Sequence, residues 1–144
     1  MTTINRENSS YRDHQSTVYI SENRVFRKIK KNKKNDITTL LNSDFYKKNI
    51  NKIIETNFLE NSEVEKLDFE DSKDLDSCFW LEHKKLETII YPYEMSFSQL
   101  KDSAIFFLDL YLEALENNFD LVDATPYNVQ FVKNKPIFID ITSF

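Results

Sequence analysis

Asp123-Ala-Thr-Pro126-Tyr-Asn128-Val-Gln-Phe131, a short polar turn, and Pro136-Ile-Phe-Ile-Asp140-Ile-Thr-Ser-Phe144 close the sequence. The apolar stretches on either side of Lys133-Asn134-Lys135 predict a β-hairpin over residues 128–132 and 137–141. Such a hairpin carries Asp140 back toward Asn128, and Asp123 lies five positions before that Asn. Two carboxylates and an amide gathered at the ends of one hairpin suit a hard divalent cation and the phosphates it carries. Asp123 is then the candidate catalytic, acceptor-facing carboxylate, and Asn128 and Asp140 are the candidate metal ligands. The same residues also have a plainer reading. Asp123-x-x-Pro126 serves as an ordinary helix exit and turn, and Asp140 as a cap toward Ser143. The sequence stops four residues after Asp140.

Working toward the N-terminus, the apolar spacing from Phe97 to Asn118 predicts a long helix. Its expected core stripe is Leu100, Ala104, Phe107, Leu108, Tyr111, Leu112 and Leu115, with Ser96 or Ser98 as its cap. Before it, 77–83 and 86–91 read as paired strands across Lys84-Lys85, ended by Pro92. Residues 57–77 are acidic and irregular, with a short strand expected around Val64. A helix is expected from Asp36, as N-cap, to Glu55. Thr17–Ile20 and Arg24–Ile29 read as a β-hairpin over Ser21-Glu22-Asn23, and residues 1–15 as a polar arm. The order of these elements is an α+β pattern.

At 144 residues the chain is one domain by length, and 12 Phe and 7 Tyr among 40% apolar residues make it globular. It contains no glycine. Gly-rich phosphate loops and dinucleotide-binding turns need backbone that approaches the ligand without a Cβ, so those sites are excluded. Charge is uneven: residues 1–60 carry 12 Lys/Arg against 7 Asp/Glu, and residues 61–144 carry 7 against 17. The basic run from Arg27 to Lys34 has no aromatics interleaved, which argues for a solvated loop over a nucleic-acid surface. Cys78 is alone and His14 and His83 are far apart, so neither a disulfide framework nor a zinc site is expected. The N-terminus lacks an apolar signal segment and no stretch approaches a membrane span, so a cytoplasmic protein without membrane association is expected. Ile141 and Phe144 suggest exposed apolar surface, and with it a protein partner or homo-oligomer through the C-terminal side.

Five ordered blocks carry a resemblance. They are Ser10-Tyr11-Arg12-Asp13, Leu41-Asn42-Ser43-Asp44-Phe45-Tyr46, the segment from Tyr91 through Pro92-Tyr93-Glu94 to Asp102, the segment Asp123–Phe131, and the segment Pro136–Phe144. Together they resemble the N-terminal, kinase-like region of a bacterial family described as class I S-adenosylmethionine-dependent methyltransferases. The resemblance implies a protein-kinase-like N-lobe of β-hairpins plus one helix, a hinge, a long helix and a catalytic-loop hairpin, with a truncated C-lobe. On that plan residues 16–144 form one domain, with the N-lobe over 16–91, the hinge over 91–95 and a partial C-lobe over 96–144. Asp123 matches the catalytic-loop Asp, Asn128 the loop Asn and Asp140 the metal-binding Asp. Tyr91, Tyr93 and Glu94 fall where adenine stacks, and Arg27 or Lys28 where a phosphate-binding Lys belongs. Mg²⁺ and ATP are the implied cofactors. S-adenosylmethionine is not expected for this chain alone, because its site needs glycine.

The resemblance also has departures. His14-Gln15-Ser16-Thr17 stands where the family has a Pro- and Gly-containing turn, and Asp140-Ile141-Thr142 where kinases have Asp-Phe-Gly. The expected function is therefore an incomplete or degenerate kinase-like module, binding nucleotide and Mg²⁺ or another anionic ligand as accessory to a methyltransferase-type system. The alternatives are an active small-molecule or carbohydrate kinase completed by a partner chain, and a non-catalytic scaffold.

Overall fold

A computed structural model describes residues 3–8, 15–123 and 125–144. In chain order it contains β1 (Asn5–Arg6), β2 (Ser16–Ile20), β3 (Arg24–Lys30), α1 (Lys34–Asn42), α2 (Asp44–Lys48), β4 (Thr56–Leu59), α3 (Asn61–Lys66), β5 (Cys78–Lys84), α4 (Phe97–Glu116), β6 (Val129–Val132) and β7 (Lys135–Phe138). It is a mixed α+β structure with antiparallel sheets, and it divides into two compact units. One unit comprises residues up to 35 together with 55–85. The other comprises 36–54 and 86–144, so the helical segment after residue 36 groups with the C-terminal unit and not with the N-lobe-like span 16–91.

The first unit is a five-stranded sheet in the order β1-β2-β3-β5-β4. The expected β2–β3 hairpin is present, in register from Ser16↔Ile29 to Ile20↔Val25. Ser21 Oγ accepts from Arg24 N at 3.1 Å across its turn. Tyr19, Phe26 and Trp80 share one face and form a cluster with Ile4, Val64 and Phe69. Phe69 and Trp80 lie 4.2 Å apart between ring centroids, and Tyr19 meets Phe69 edge-on at 5.3 Å. Buried aromatics of this kind need partners for their polar ends. Trp80 Nε1 donates to Lys73 O at 3.0 Å, and Tyr19 Oη donates to Asp71 Oδ2 at 3.1 Å. Burial pushes the Tyr19 phenol well above its usual range, and Asp71 adds to the shift.

Several expectations for this unit are corrected. Val64 sits in α3, not in a strand, and its side chain fills the cluster. Reciprocal bonds between Glu60 and Glu63 start that helix, with Glu60 N donating to Glu63 Oε2 at 3.1 Å. Residues 3–8 are not a free arm: β1 pairs with β2, Ile4 N donates to Asp68 O at 2.7 Å, and Ile4 is buried. The remainder of that expected arm, Met1-Thr2 and 9–14, lies outside the described residues, with the block from Ser10 to Asp13. No strand forms over 86–91. β5 already has β3 on one side and β4 on the other, so neither side remains for a further hairpin partner. The run after β3 is not an open loop either, because Lys31–Lys33 turns directly into α1.

In the second unit the single helix expected from Asp36 to Glu55 is two. It begins at Lys34, which puts Asp36 in the first turn, where a carboxylate favours the positive end of the helix. It breaks at Ser43, whose Oγ accepts from Tyr46 N at 3.1 Å and donates to Leu40 O at 2.6 Å. Beyond α2 the chain extends alongside β7, with Ile54 N donating to Phe138 O and Phe138 N to Lys52 O, both at 2.8 Å. β6 and β7 form the expected hairpin, though β7 ends at Phe138. Its turn sets Lys133 at φ 49° and Asn134 at φ 63°, left-handed positions that glycine usually takes.

α4 is capped by Ser96, whose Oγ accepts from Gln99 N at 3.3 Å while Ser96 N donates to Gln99 Oε1 at 2.9 Å. It ends with Asn118 at φ 63° and with Phe119 N donating to Ala114 O and Asn118 N to Leu115 O. Its buried residues are Ser103, Leu110 and Ala114, and Phe107 packs half-buried against Phe138. Most of the expected core stripe is therefore on the exposed face, a rotation of about one residue, or ~100°. The terminus is corrected in the opposite sense. Ile141 is fully buried, and Phe144 packs against Phe138 at 5.5 Å and Phe45 at 5.7 Å. Among the described residues no helix is long and apolar enough to cross a membrane.

Candidate functional site

The three residues singled out at the C-terminal end all belong to the second unit, and backbone hydrogen bonds link their segments. Pro126 starts a 3-10 turn that ends at Asn128, with Asn128 N donating to Thr125 O at 3.0 Å. Asn128 Nδ2 donates to Asp123 O at 3.2 Å. Asn128 O accepts from Ile139 N at 2.8 Å, which holds the loop one residue from Asp140. The amide nitrogen is thus used to fix the loop, and Oδ1 remains as the atom suited to a cation. Asp123 is exposed.

Asp140 opens a 3-10 turn over Ile141–Ser143. Its Oδ1 accepts from Thr142 N at 3.3 Å and Thr142 Oγ1 at 2.7 Å, and its Oδ2 accepts from Ser143 Oγ at 2.6 Å. The capping role read from the sequence is therefore real. These bonds fix the carboxylate within its own turn. Among the described residues no group of three or more His, Cys, Asp or Glu could hold a metal ion. Asp140 and Asn128 are the oxygen-bearing side chains of these two turns. Mg²⁺ keeps several waters and is commonly held by one or two carboxylates plus substrate phosphates.

An exposed aromatic platform is built in the same unit. Tyr91 and Tyr93 stack at 5.5 Å with planes 6° apart, and Tyr127 meets Tyr91 at 6.5 Å and 60°. Tyr93 is 76% exposed and Tyr127 54%. Two devices hold the segment. Glu94 Oε2 accepts from Tyr91 N at 2.9 Å, so this expected ligand-binding acid fastens the 3-10 turn Pro92–Glu94. Gln130, buried within β6, donates from Nε2 to Ile90 O at 3.0 Å and accepts at Oε1 from Ile90 N at 2.8 Å. Its side-chain amide supplies the hydrogen bonds that a neighbouring strand would otherwise provide.

Arg27 and Lys28 belong to the first unit and lie on opposite faces of β3. Lys28 shares the face of Tyr19 and Trp80. Its Nζ lies 5.5 Å and 5.9 Å from those ring centroids and donates to Ser72 O at 2.9 Å. Its ammonium is therefore engaged inside its own unit. Arg27 pairs across the sheet with Val18 and Leu81.

The sequence offered Asp123, Asn128, Asp140, Tyr91, Tyr93, Glu94, Arg27 and Lys28 as candidates; Tyr127, which packs beside Tyr91, and Gln130, which holds Ile90, were not among them. Tyr127 carried a signal, since it directly precedes Asn128 in the loop. Gln130 carried one only as a polar residue at a strand position facing inward. Thr142 and Ser143, which hold the Asp140 carboxylate, are the signature of a capped turn.

The fold is mixed α+β with antiparallel sheets, and its second unit carries the Asp123–Asn128 loop, the β6–β7 hairpin and the exposed tyrosines. The chain is similar to the Nodulation protein NoeA of Rhizobium meliloti (strain 1021), with 55% identity over 60 residues. The matched segment is 42% of this chain and 13% of that protein. No family model matches the chain, and no solved structure matches it.

Proposed function

We propose that the chain is a kinase-like module, incomplete or degenerate as a catalyst, that binds a magnesium-bound nucleotide or a similar anionic aromatic ligand through its second unit. It would act as an accessory part of a methyltransferase-type system. The observation that carries this reading is the coupling of Asn128 to the Asp123 carbonyl and to Ile139 N, one residue before Asp140, with Tyr127 of the aromatic platform adjacent in the same loop. Asn128 Oδ1 and Asp140 would hold the cation, which supplies charge neutralisation to bound phosphates. Tyr91 and Tyr93 offer flat faces on which a base stacks, with about 1–3 kcal/mol expected per stacked base. Asp123 is exposed and presents a carboxylate for an acceptor hydroxyl.

A second reading has its own observation. The three local bonds to Asp140 favour a purely structural cap, which would make the segment part of a non-catalytic scaffold. A thermal-shift titration separates the two. Millimolar Mg²⁺-ATP should raise the melting temperature on the first reading, since a ligand of the folded state stabilises it. Asn128→Ala should reduce that shift beyond any change in its own ligand-free melting temperature, while Asp123→Ala, at the exposed acceptor-facing position, should leave the shift nearly unchanged. No shift at millimolar Mg²⁺-ATP would sink the nucleotide reading and leave the scaffold.

A further inference from the structure

The outward face of α4 carries a stripe of exposed apolar side chains interrupted by Lys101. Phe97 is 83% exposed, Leu108 57%, Leu112 59%, Ile105 50% and Leu115 46%. At about 100° per residue these side chains fall in one stripe, opposite the buried line of Ser103, Leu110 and Ala114. Their exposed apolar surface is on the order of 500 Å² per copy, within the range where a monomer's largest patch is commonly an interaction site.

We propose that this face pairs with the same face of a second copy of the chain, antiparallel about a two-fold axis near Leu108. The pattern of charges favours this occupant. Within the stripe and its margin the exposed charges at the two ends are opposite, Lys101 near the N-terminus and Glu116 at the C-terminus. An antiparallel pair centred between Leu108 and Asp109 sets Lys101 against Glu116 of the other copy at both ends. The same register sets Ile105 against Leu112 twice and Leu108 against Asp109 twice, so the two Leu108 side chains lie on either side of the axis, offset by one residue. An isologous interface is self-complementary in this sense: residue i meets j and j meets i. A parallel pair would instead align Glu116 with Glu116 and Lys101 with Lys101. Two copies bury roughly 1,000 Å², the lower bound of a specific interface, so a weak, concentration-dependent dimer is expected. Asp109 and Glu113 lie outside the stripe, and Glu113 is paired with Lys52. The pairing does not depend on the proposed ligand site.

Sedimentation velocity on the full chain, from roughly 1 to 200 µM, tests this. The mass should rise from the 17.2 kDa monomer toward twice that value. Leu108→Asp, at an exposed position, should keep its helical circular dichroism and remain monomeric throughout. Lys101→Glu and Glu116→Lys should each weaken association by about tenfold or more, and combining them should restore it to within about threefold. A monomer at every concentration, open-ended assembly, or failure of the double charge reversal to rescue would overturn the proposal. The first of these results would assign the face to a different partner.

Discussion

Gln130 shows how one side chain can replace a strand. Its amide bonds both backbone groups of Ile90, and it is itself buried. Gln130→Leu should therefore strand the Ile90 amide and carbonyl and lower stability by about 1–3 kcal/mol, read by urea denaturation. This contact was not legible in the sequence, because a side chain bonding a non-regular segment leaves no periodicity. Asp123, Asn128 and Asp140 were legible for the converse reason: alternation marked the hairpin, and the hairpin brought their segments together. Arg24 and Glu82 give a residue-scale pH test. Nε and Nη2 of Arg24 hold the two Glu82 oxygens at 2.6 and 2.9 Å, and this hydrogen bonding keeps the Glu82 carboxyl below its ordinary value, with burial opposing it. A depressed carboxyl stabilises the fold above its unfolded pKa of about 4.3, and that contribution disappears as pH falls through the folded value. Glu82→Gln should be less stable than the parent at neutral pH and lose less of its stability on acidification. Equal acid slopes for the two proteins in denaturant titrations would contradict this.

At the scale of elements, caps and turn residues decided boundaries that hydrophobic spacing alone placed imperfectly. Ser43 ended one helix and began another inside a stretch that reads as continuous, and β5 took partners on both sides, so the next segment was left without a sheet. The long helix was legible in position and cap, but its inward face was not. An amphipathic stripe identifies an apolar face without saying what covers it, and α4 carries apolar residues on two faces. Ser96→Ala should cost about 1 kcal/mol of stability by removing the bond from Gln99 N. The β6–β7 turn offers a change of opposite sign. Lys133 and Asn134 hold left-handed backbone in a chain without glycine, so replacing them together by Asn-Gly should raise stability by about 0.5–1 kcal/mol. Both effects are read as shifts of the urea midpoint with an unchanged slope.

Across the whole molecule, two units share the work unequally. The first is organised around an aromatic cluster that absorbs Lys28, and the second carries the candidate residues Asp123, Asn128 and Asp140, the exposed tyrosines and the exposed face of α4. The proposed ligand therefore belongs to the second unit. A ¹H–¹⁵N correlation spectrum of the full chain, titrated with Mg²⁺-ATP to millimolar concentration and compared with Mg²⁺ alone, tests that placement most directly. The expected result is saturable shifts confined to residues 90–94, 123–130 and 139–143, and strongly weakened in Asn128→Ala. No shifts in those segments at millimolar ligand, or saturable shifts there that Asn128→Ala leaves unchanged, would contradict it.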